Sequence, residues 1–165
     1  MITQLFKKTK QLDFERTYAA PIDAVWRAWT DAAQLRQWWG PEKTTVPECE
    51  VDLRVGGTVH VVTEAGPEMG KYAGTRWPMT GTFTEIAAPH RLVYTARSWT
   101  EGEEAGTTIE HTNELTLTEH DGATVVTLHI DITSIGPKAK MAAFGMKWGY
   151  KAQLDKLAEL LTRPA

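Results

Sequence analysis

Apolar and polar residues alternate through LDFERTY (12–18), the period-two pattern of a strand with one face turned inward. Leu12, Phe14 and Tyr18 share that face, and Arg16 intrudes on it. The period then changes. In APIDAVWRAWT, Ile22, Val25, Trp26 and Trp29 fall at i, i+3, i+4 and i+7, which predicts a helix buried on one side, with Pro21 suited to its first turn. Asp31 is placed to cap a second short helix, AAQLRQWW, which Gly40 and Pro41 stop.

Strands follow. PECEVDLRVGGTVHVVTE reads as a hairpin turning at Gly56 and Gly57, with Cys49, Val51 and Leu53 on one face of its first arm. Residues 65–78 are Gly-rich and aperiodic, the mark of a long loop or irregular hairpin tip. MTGTFTEI and RLVYTARSW predict two more strands, and TEGEEAG (100–106) a polar loop. TIEHTNELTLTE and ATVVTLHIDIT form a hairpin around His120, Asp121 and Gly122. Residues 137–161 predict one long helix opened by Pro137. Its second half presents Leu154, Leu157, Ala158 and Leu161 on one side. In its first half Met141, Phe144, Met146, Trp148 and Tyr150 point several ways, and Gly145 and Gly149 interrupt it. Such a half is suited to leaving room beside itself. Antiparallel strands bracketed by helices mean α+β, with the last helix covering the apolar face of one sheet.

A chain of 165 residues is one domain by size, with residues 1–10 expected as a loosely packed N-terminus. A net charge of −3 without a basic block argues against a nucleic-acid surface. The N-terminus has lysines but no apolar leader core, and no apolar run approaches the ~20 residues of a membrane helix. The single cysteine, Cys49, excludes an intramolecular disulfide and fits a reducing compartment, so the expected location is the cytoplasm. Seven tryptophans are many, and they are expected to line something specific.

Searches for hard chemistry return little. GPEMGKY (66–72) has three residues between its glycines where a phosphate loop has four, and Tyr72 where that loop has Ser or Thr. The histidines are scattered without zinc-ligand spacing, and there is no GxSxG elbow. No metal and no cofactor are expected. Strand parity is more informative. Val126, Leu128, Ile130 and Ile132 make an unbroken apolar face, whereas the facing row on the preceding strand reads Ile109, His111, Asn113, Leu115, Leu117. Two polar residues in a core row need a network, a cavity or an open sheet end. The plain reading is a satisfied internal network, just as Arg16 reads plainly as a structural ion pair.

Three stretches carry a family resemblance: FERTYAAPIDAVWRAWTDAAQLRQWWGP, GTFTEIAAPHRLVYT and the terminal LDKLAELL. Over residues 12–161 the chain resembles the bacterial branch of the activator-of-Hsp90-ATPase homologue family (AHSA1-like), in the START-like or Bet v 1-like (SRPBCC) superfamily. The resemblance implies a helix-grip fold: a curved antiparallel sheet of about seven strands around a long C-terminal helix, two short helices after the first strand, and a cavity between sheet and helix. It supplies no catalytic set. Hsp90 activation is not expected to transfer with it, because a counterpart of the N-terminal domain of the eukaryotic co-chaperones is not expected here. The 65–78 segment is longer than the turn usual in relatives.

The expected function is binding of a small apolar or aromatic molecule, with Trp38, Trp77, Met79, Phe83, Tyr94, His111, Asn113, Phe144 and Trp148 as candidate walls. One of Trp38 and Trp39 is expected to anchor the helix pair and the other to border the mouth. The alternatives are a cyclase- or hydrolase-type enzyme, with His111 as base and Arg16 or Asn113 holding an oxyanion, and a chaperone-associated interaction domain in stress response. The interaction reading finds no strong exposed patch in the sequence, and a homodimer stays open.

Overall fold

A computed structural model describes residues 10–163. The expectation for residues 1–10 lies outside them except at Lys10, which opens the first strand. β1 (Lys10–Tyr18) leads into α1 (Ile22–Thr30) and α2 (Ala32–Trp38), then β2 (Thr44–Val51) and β3 (Thr58–Ala65). A 3-10 turn (Pro67–Tyr72) precedes β4 (Arg76–Ala87) and β5 (Arg91–Ser98). A single helical turn, α3 (Glu104–Thr107), precedes β6 (Ile109–His120), β7 (Ala123–Ile135) and the long α4 (Lys140–Thr162).

All seven strands form one antiparallel sheet in the order β1-β7-β6-β5-β4-β3-β2. β1 pairs with the last strand while β2 lies at the opposite edge, so α1 and α2 carry the chain across the sheet's width. Each helix forms for the reason its sequence gives. α1 buries Ile22, Val25, Trp26 and Trp29, and the Asp31 carboxylate accepts from Ala33 N–H to cap α2. The inner face of the curved sheet carries Leu12 and Tyr18, Val126 to Ile132 at alternate positions, and the full row from Ile109 to Leu117. The expected polar pair, His111 and Asn113, is buried in that row. This is the α+β helix-grip arrangement.

α4 grips through one face and leaves two others. Successive residues turn by about 100°. Ala143, Tyr150, Leu154 and Leu157 therefore share the side pressed on the sheet, and all four are buried. Tyr18 donates its hydroxyl to the Leu154 carbonyl (2.9 Å), and Phe14 stacks on Tyr150. Ala142, Met146, Gly149 and Gln153 lie along the neighbouring face. Met141, Phe144 and Trp148 lie on the far side.

Several boundaries differ from expectation. β2 ends at Val51, so Leu53 falls in the turn and is exposed rather than facing inward with Cys49. Residues 65–78 are the irregular hairpin tip of the two alternatives: β3 ends in them, β4 begins in them as its antiparallel partner, and a 3-10 turn lies between. α4 starts at Lys140 rather than Pro137, because Gly136 N–H and Lys138 N–H are held by the carbonyls of Thr108 and Gly106. Among the described residues no helix is long and apolar enough to cross a membrane.

Candidate functional site

Between the cleft-facing side of α4 and the β3–β5 end of the sheet lies an open cleft of about 180 Å³. Trp39 stands at its inner end, just past α2. Thr63 of β3 and Trp77, Pro78 and Met79 of β4 make its floor, and Ser98, Trp99 and Thr100 run along one side. Ala142, Met146, Tyr150 and Gln153 of α4 form the opposite wall. A second space of about 280 Å³ continues it past Pro41, Met69 and Gly149, sharing Thr63, Trp77, Ala142, Met146, Tyr150 and Gln153. Gly149 leaves this wall low. No lining residue of either space carries a charge.

Behind the wall runs a hydrogen-bonded chain. Ser98 Oγ lies 3.1 Å from His111 Nε2, His111 Nδ1 lies 2.7 Å from Asn113 Oδ1, and Asn113 Nδ2 donates to the hydroxyls of Tyr94 (2.9 Å) and Tyr150 (3.3 Å). Facing an amide oxygen, His111 Nδ1 carries the proton and Nε2 accepts from Ser98. Burial pushes the imidazole below its ordinary pKa, against the smaller opposing effect of the Asn113 bond. Burial likewise raises the Tyr94 hydroxyl and pushes Tyr150 up to about 12. The chain is therefore uncharged near neutrality. Of its three ends, Ser98 and Tyr150 reach the cleft; Tyr94, His111 and Asn113 do not line it.

That neutrality has a pH consequence. The unfolded chain takes up a proton at histidine near pH ~6.5, whereas folded His111 resists doing so. The contribution of His111 is therefore complete above ~6.5 and is lost as pH falls through that value toward the lower folded pKa. His129, raised by its bond to Asp13, acts in the opposite sense, but the ring is partly exposed and Asp13 stands in solvent, where screening weakens the pair. Urea midpoints measured from pH 7 to pH 5 are expected to fall more steeply in the native protein than in His111→Gln. Equal slopes would contradict a buried neutral His111.

The WWGP turn fixes the inner end. Gly40 has φ +86° and donates its N–H to Gln153 Oε1 (2.9 Å), while Lys156 Nζ donates to its carbonyl (3.0 Å). A Cβ there would meet Thr44 Oγ1 at 2.7 Å and Thr63 Cγ2 at 2.9 Å. Gly40→Ala is therefore expected to cost about 1–2 kcal/mol from the left-handed backbone alone. A chemical-denaturation midpoint unchanged from the native protein would contradict that.

A family model described as activator of Hsp90 ATPase homolog 1-like protein matches residues 19–162. The chain belongs to the AHSA1 family. No curated protein matches it. Among solved structures, this AHSA1 protein is similar to protein Ms6760 of Mycobacterium smegmatis, at 25% identity and TM-score 0.75, over 96% of this chain and 98% of that one. The AHSA1 protein of Silicibacter pomeroyi is 26% identical with TM-score 0.69, over 91% of this chain and 96% of that one. Protein CV1439 of Chromobacterium violaceum, at 22% identity and TM-score 0.75 over 93% and 98%, shares the fold. These likenesses establish a Bet v 1-like helix-grip architecture.

The residues singled out from sequence fall into six places in this AHSA1 domain. Trp77 and Met79 line the cleft. Phe83 and Tyr94 lie a layer deeper, around a void of about 10 Å³ that Met79 and Trp39 also border. His111 and Asn113 stand behind the wall. Trp38 is fully buried away from it and donates Nε1–H to the Ala28 carbonyl (2.8 Å), so Trp38 is the anchor of the helix pair and Trp39 the ring at the cleft. Phe144 and Trp148 do not face the cleft at all: they are 62% and 58% exposed, on the far side of α4 with Met141 at 81%. The sequence reading that found no exposed patch is corrected by this stripe. Arg16 pairs with Asp155 of α4 at 2.5 Å and lies outside the cleft lining. Sequence reasoning missed Trp99, Ser98 and Gln153. Gln153 carried a usable signal: it sits eleven residues after Ala142, on the 142/146/149 face, beside the buried leucine row. Among the described residues no group of three or more His, Cys, Asp or Glu comes together to hold a metal.

Proposed function

We propose that this AHSA1 domain binds a small apolar or aromatic molecule in the cleft between α4 and the β3–β5 end of the sheet. The observation that carries the reading is the lining itself: Trp39, Trp77, Trp99, Met79 and Met146 supply apolar surface, and the few polar groups among them are uncharged. That combination is the usual character of a small-molecule site. Methionines at such walls adapt to ligand shape, and tryptophan faces favour flat rings. The lone Cys49, half-buried and with its thiol pushed up to about 11 by burial, fits residence in a reducing compartment such as the cytoplasm.

The binding reading is favoured over turnover by the state of His111. The ring is not part of the cleft lining and meets it only through Ser98, and burial holds its pKa below the ordinary value, which weakens it as a base for that hydroxyl. Its Nδ1 is turned to the Asn113 amide, which, unlike a carboxylate, offers no charge to an imidazolium.

The reading is tested with N-phenyl-1-naphthylamine, a neutral probe that fluoresces in apolar surroundings. Enhancement is expected with the native protein, and Ala142→Trp, which fills the rim from an exposed position, is expected to weaken it at least tenfold. An enhancement unaffected by Ala142→Trp, in a variant of native stability, would place the probe elsewhere and overturn the assignment.

A further inference from the structure

The cleft holds one polar group that the fold leaves unanswered. Gln153 is only 6% exposed, lines both parts of the cleft, and has a side-chain nitrogen with no hydrogen-bond partner among the described residues. Its orientation is fixed. Gly40 N–H donates to the Gln153 oxygen, and turning the amide over would set donor against donor. A hydroxyl in the same place could rotate to find a partner; a primary amide held by its oxygen cannot. The cost of an unmet buried donor, comparable to losing a hydrogen bond outright, makes such a group uncommon in a settled core. Here the side chain that carries it lines both parts of the cleft.

The rest of the lining restricts what answers it. With no cation among the lining residues, a carboxylate or phosphate entering the cleft would lose its hydration without a counter-charge. A neutral acceptor on an aromatic frame meets both conditions. We propose, resting on the binding reading above, that the cleft selects a neutral aromatic ligand bearing a carbonyl-type oxygen, which accepts a hydrogen bond from the Gln153 amide. Gln153 is thus the specificity-determining residue, and Trp39, Trp77 and Met146 hold the ring.

Three probes of one shape separate the possibilities: 2-acetylnaphthalene, its carbon isostere 2-isopropenylnaphthalene, and 2-naphthoate. Affinities are measured by titrating the full chain at pH 8. The ketone is expected to bind about tenfold more tightly than the isostere, and the carboxylate more weakly than the ketone. Because the ketone is the more water-soluble of the first two, partitioning cannot produce that order. Gln153→Glu keeps an acceptor for Gly40 N–H but lacks the amide donor, and Gln153→Met removes both. In each the ketone preference is expected to fall to about onefold while the isostere still binds. Equal affinity for ketone and isostere in the native protein would overturn the inference and leave the binding reading standing. A ketone preference that survives in both variants would overturn it equally. Failure of all three probes to bind would instead remove the binding reading, and the inference with it.

Discussion

Trp38→Ala is expected to lower the unfolding free energy by about 3–5 kcal/mol, the usual cost of emptying a large aromatic site in a core. Nothing at this position touches solvent. The indole is fully buried, gives its N–H to the Ala28 carbonyl, and meets Trp29 edge-on at 4.6 Å and Trp39 at 5.6 Å. Trp39 in turn meets Tyr150 of α4 at 6.0 Å. The run of rings thus ties α1 and α2 to the helix that grips the sheet. Truncation leaves a cavity and removes the donor of a buried carbonyl, and the short helices cannot collapse to fill it without releasing the WWGP turn. Trp38→Phe keeps a ring and is expected to recover part of the loss. Trp148→Ala is the control: its side chain stands in solvent on α4, and its effect is expected within about 0.5 kcal/mol. Similar costs for Trp38→Ala and Trp148→Ala, read from urea unfolding, would contradict the assignment of Trp38 to the core.

The second large effect belongs to Asn113. Asn113→Leu substitutes a side chain of similar size but strands His111 Nδ1–H and withdraws the donor shared by Tyr94 and Tyr150. Each buried group left unmet costs about 1–3 kcal/mol, and the tyrosines can recover only by turning their hydroxyls, so a total of about 2–4 kcal/mol is expected. Replacing His111 by Leu together with Asn113→Leu removes the donor along with its acceptor. The double variant is therefore expected to be more stable than the sum of the single losses predicts. Strict additivity in the double-mutant cycle would mean that the two side chains do not depend on each other.

The fold was legible because each local pattern had one physical solution. The stripe Ile22, Val25, Trp26, Trp29 could only be a one-sided helix, and the row from Ile109 to Leu117 kept its parity because the bulge opposite Glu110 and His111 falls on β7, at Thr133. The buried His111–Asn113 pair was readable from parity alone; the inward Arg16 called for a carboxylate, a helix C-terminus or a bound anion, and the partner is the Asp155 carboxylate. The candidate site was legible only in part. Trp38 and Trp39 are chemically identical neighbours about 100° apart, and which one faces the cleft depends on how α2 docks, a tertiary fact. Phe144 and Trp148 looked like cavity walls because large aromatics are usually buried. The rotation of α4 is set instead by Ala143, Tyr150, Leu154 and Leu157, which press on the sheet and turn the aromatic stripe outward. Trp99 follows the end of β5, where alternation no longer constrains direction, whereas Ser98, the last residue of β5, shares the inward parity of Leu92, Tyr94 and Ala96. Gln153 is exceptional in that its meaning lies in an unmade bond, which no sequence pattern displays.

The seven tryptophans provide the most direct test of the cleft as a binding site, because each indole N–H gives its own resonance. Proton–nitrogen correlation spectra are recorded while 2-acetylnaphthalene is titrated into the protein, with assignments made by single Trp→Phe variants. The indole signals of Trp39, Trp77 and Trp99 are expected to move with a common saturation curve, while those of Trp26 and Trp148 stay in place. Movement confined to Trp148, or no movement in any of the three at the solubility limit of the ligand, would contradict binding between α4 and the sheet.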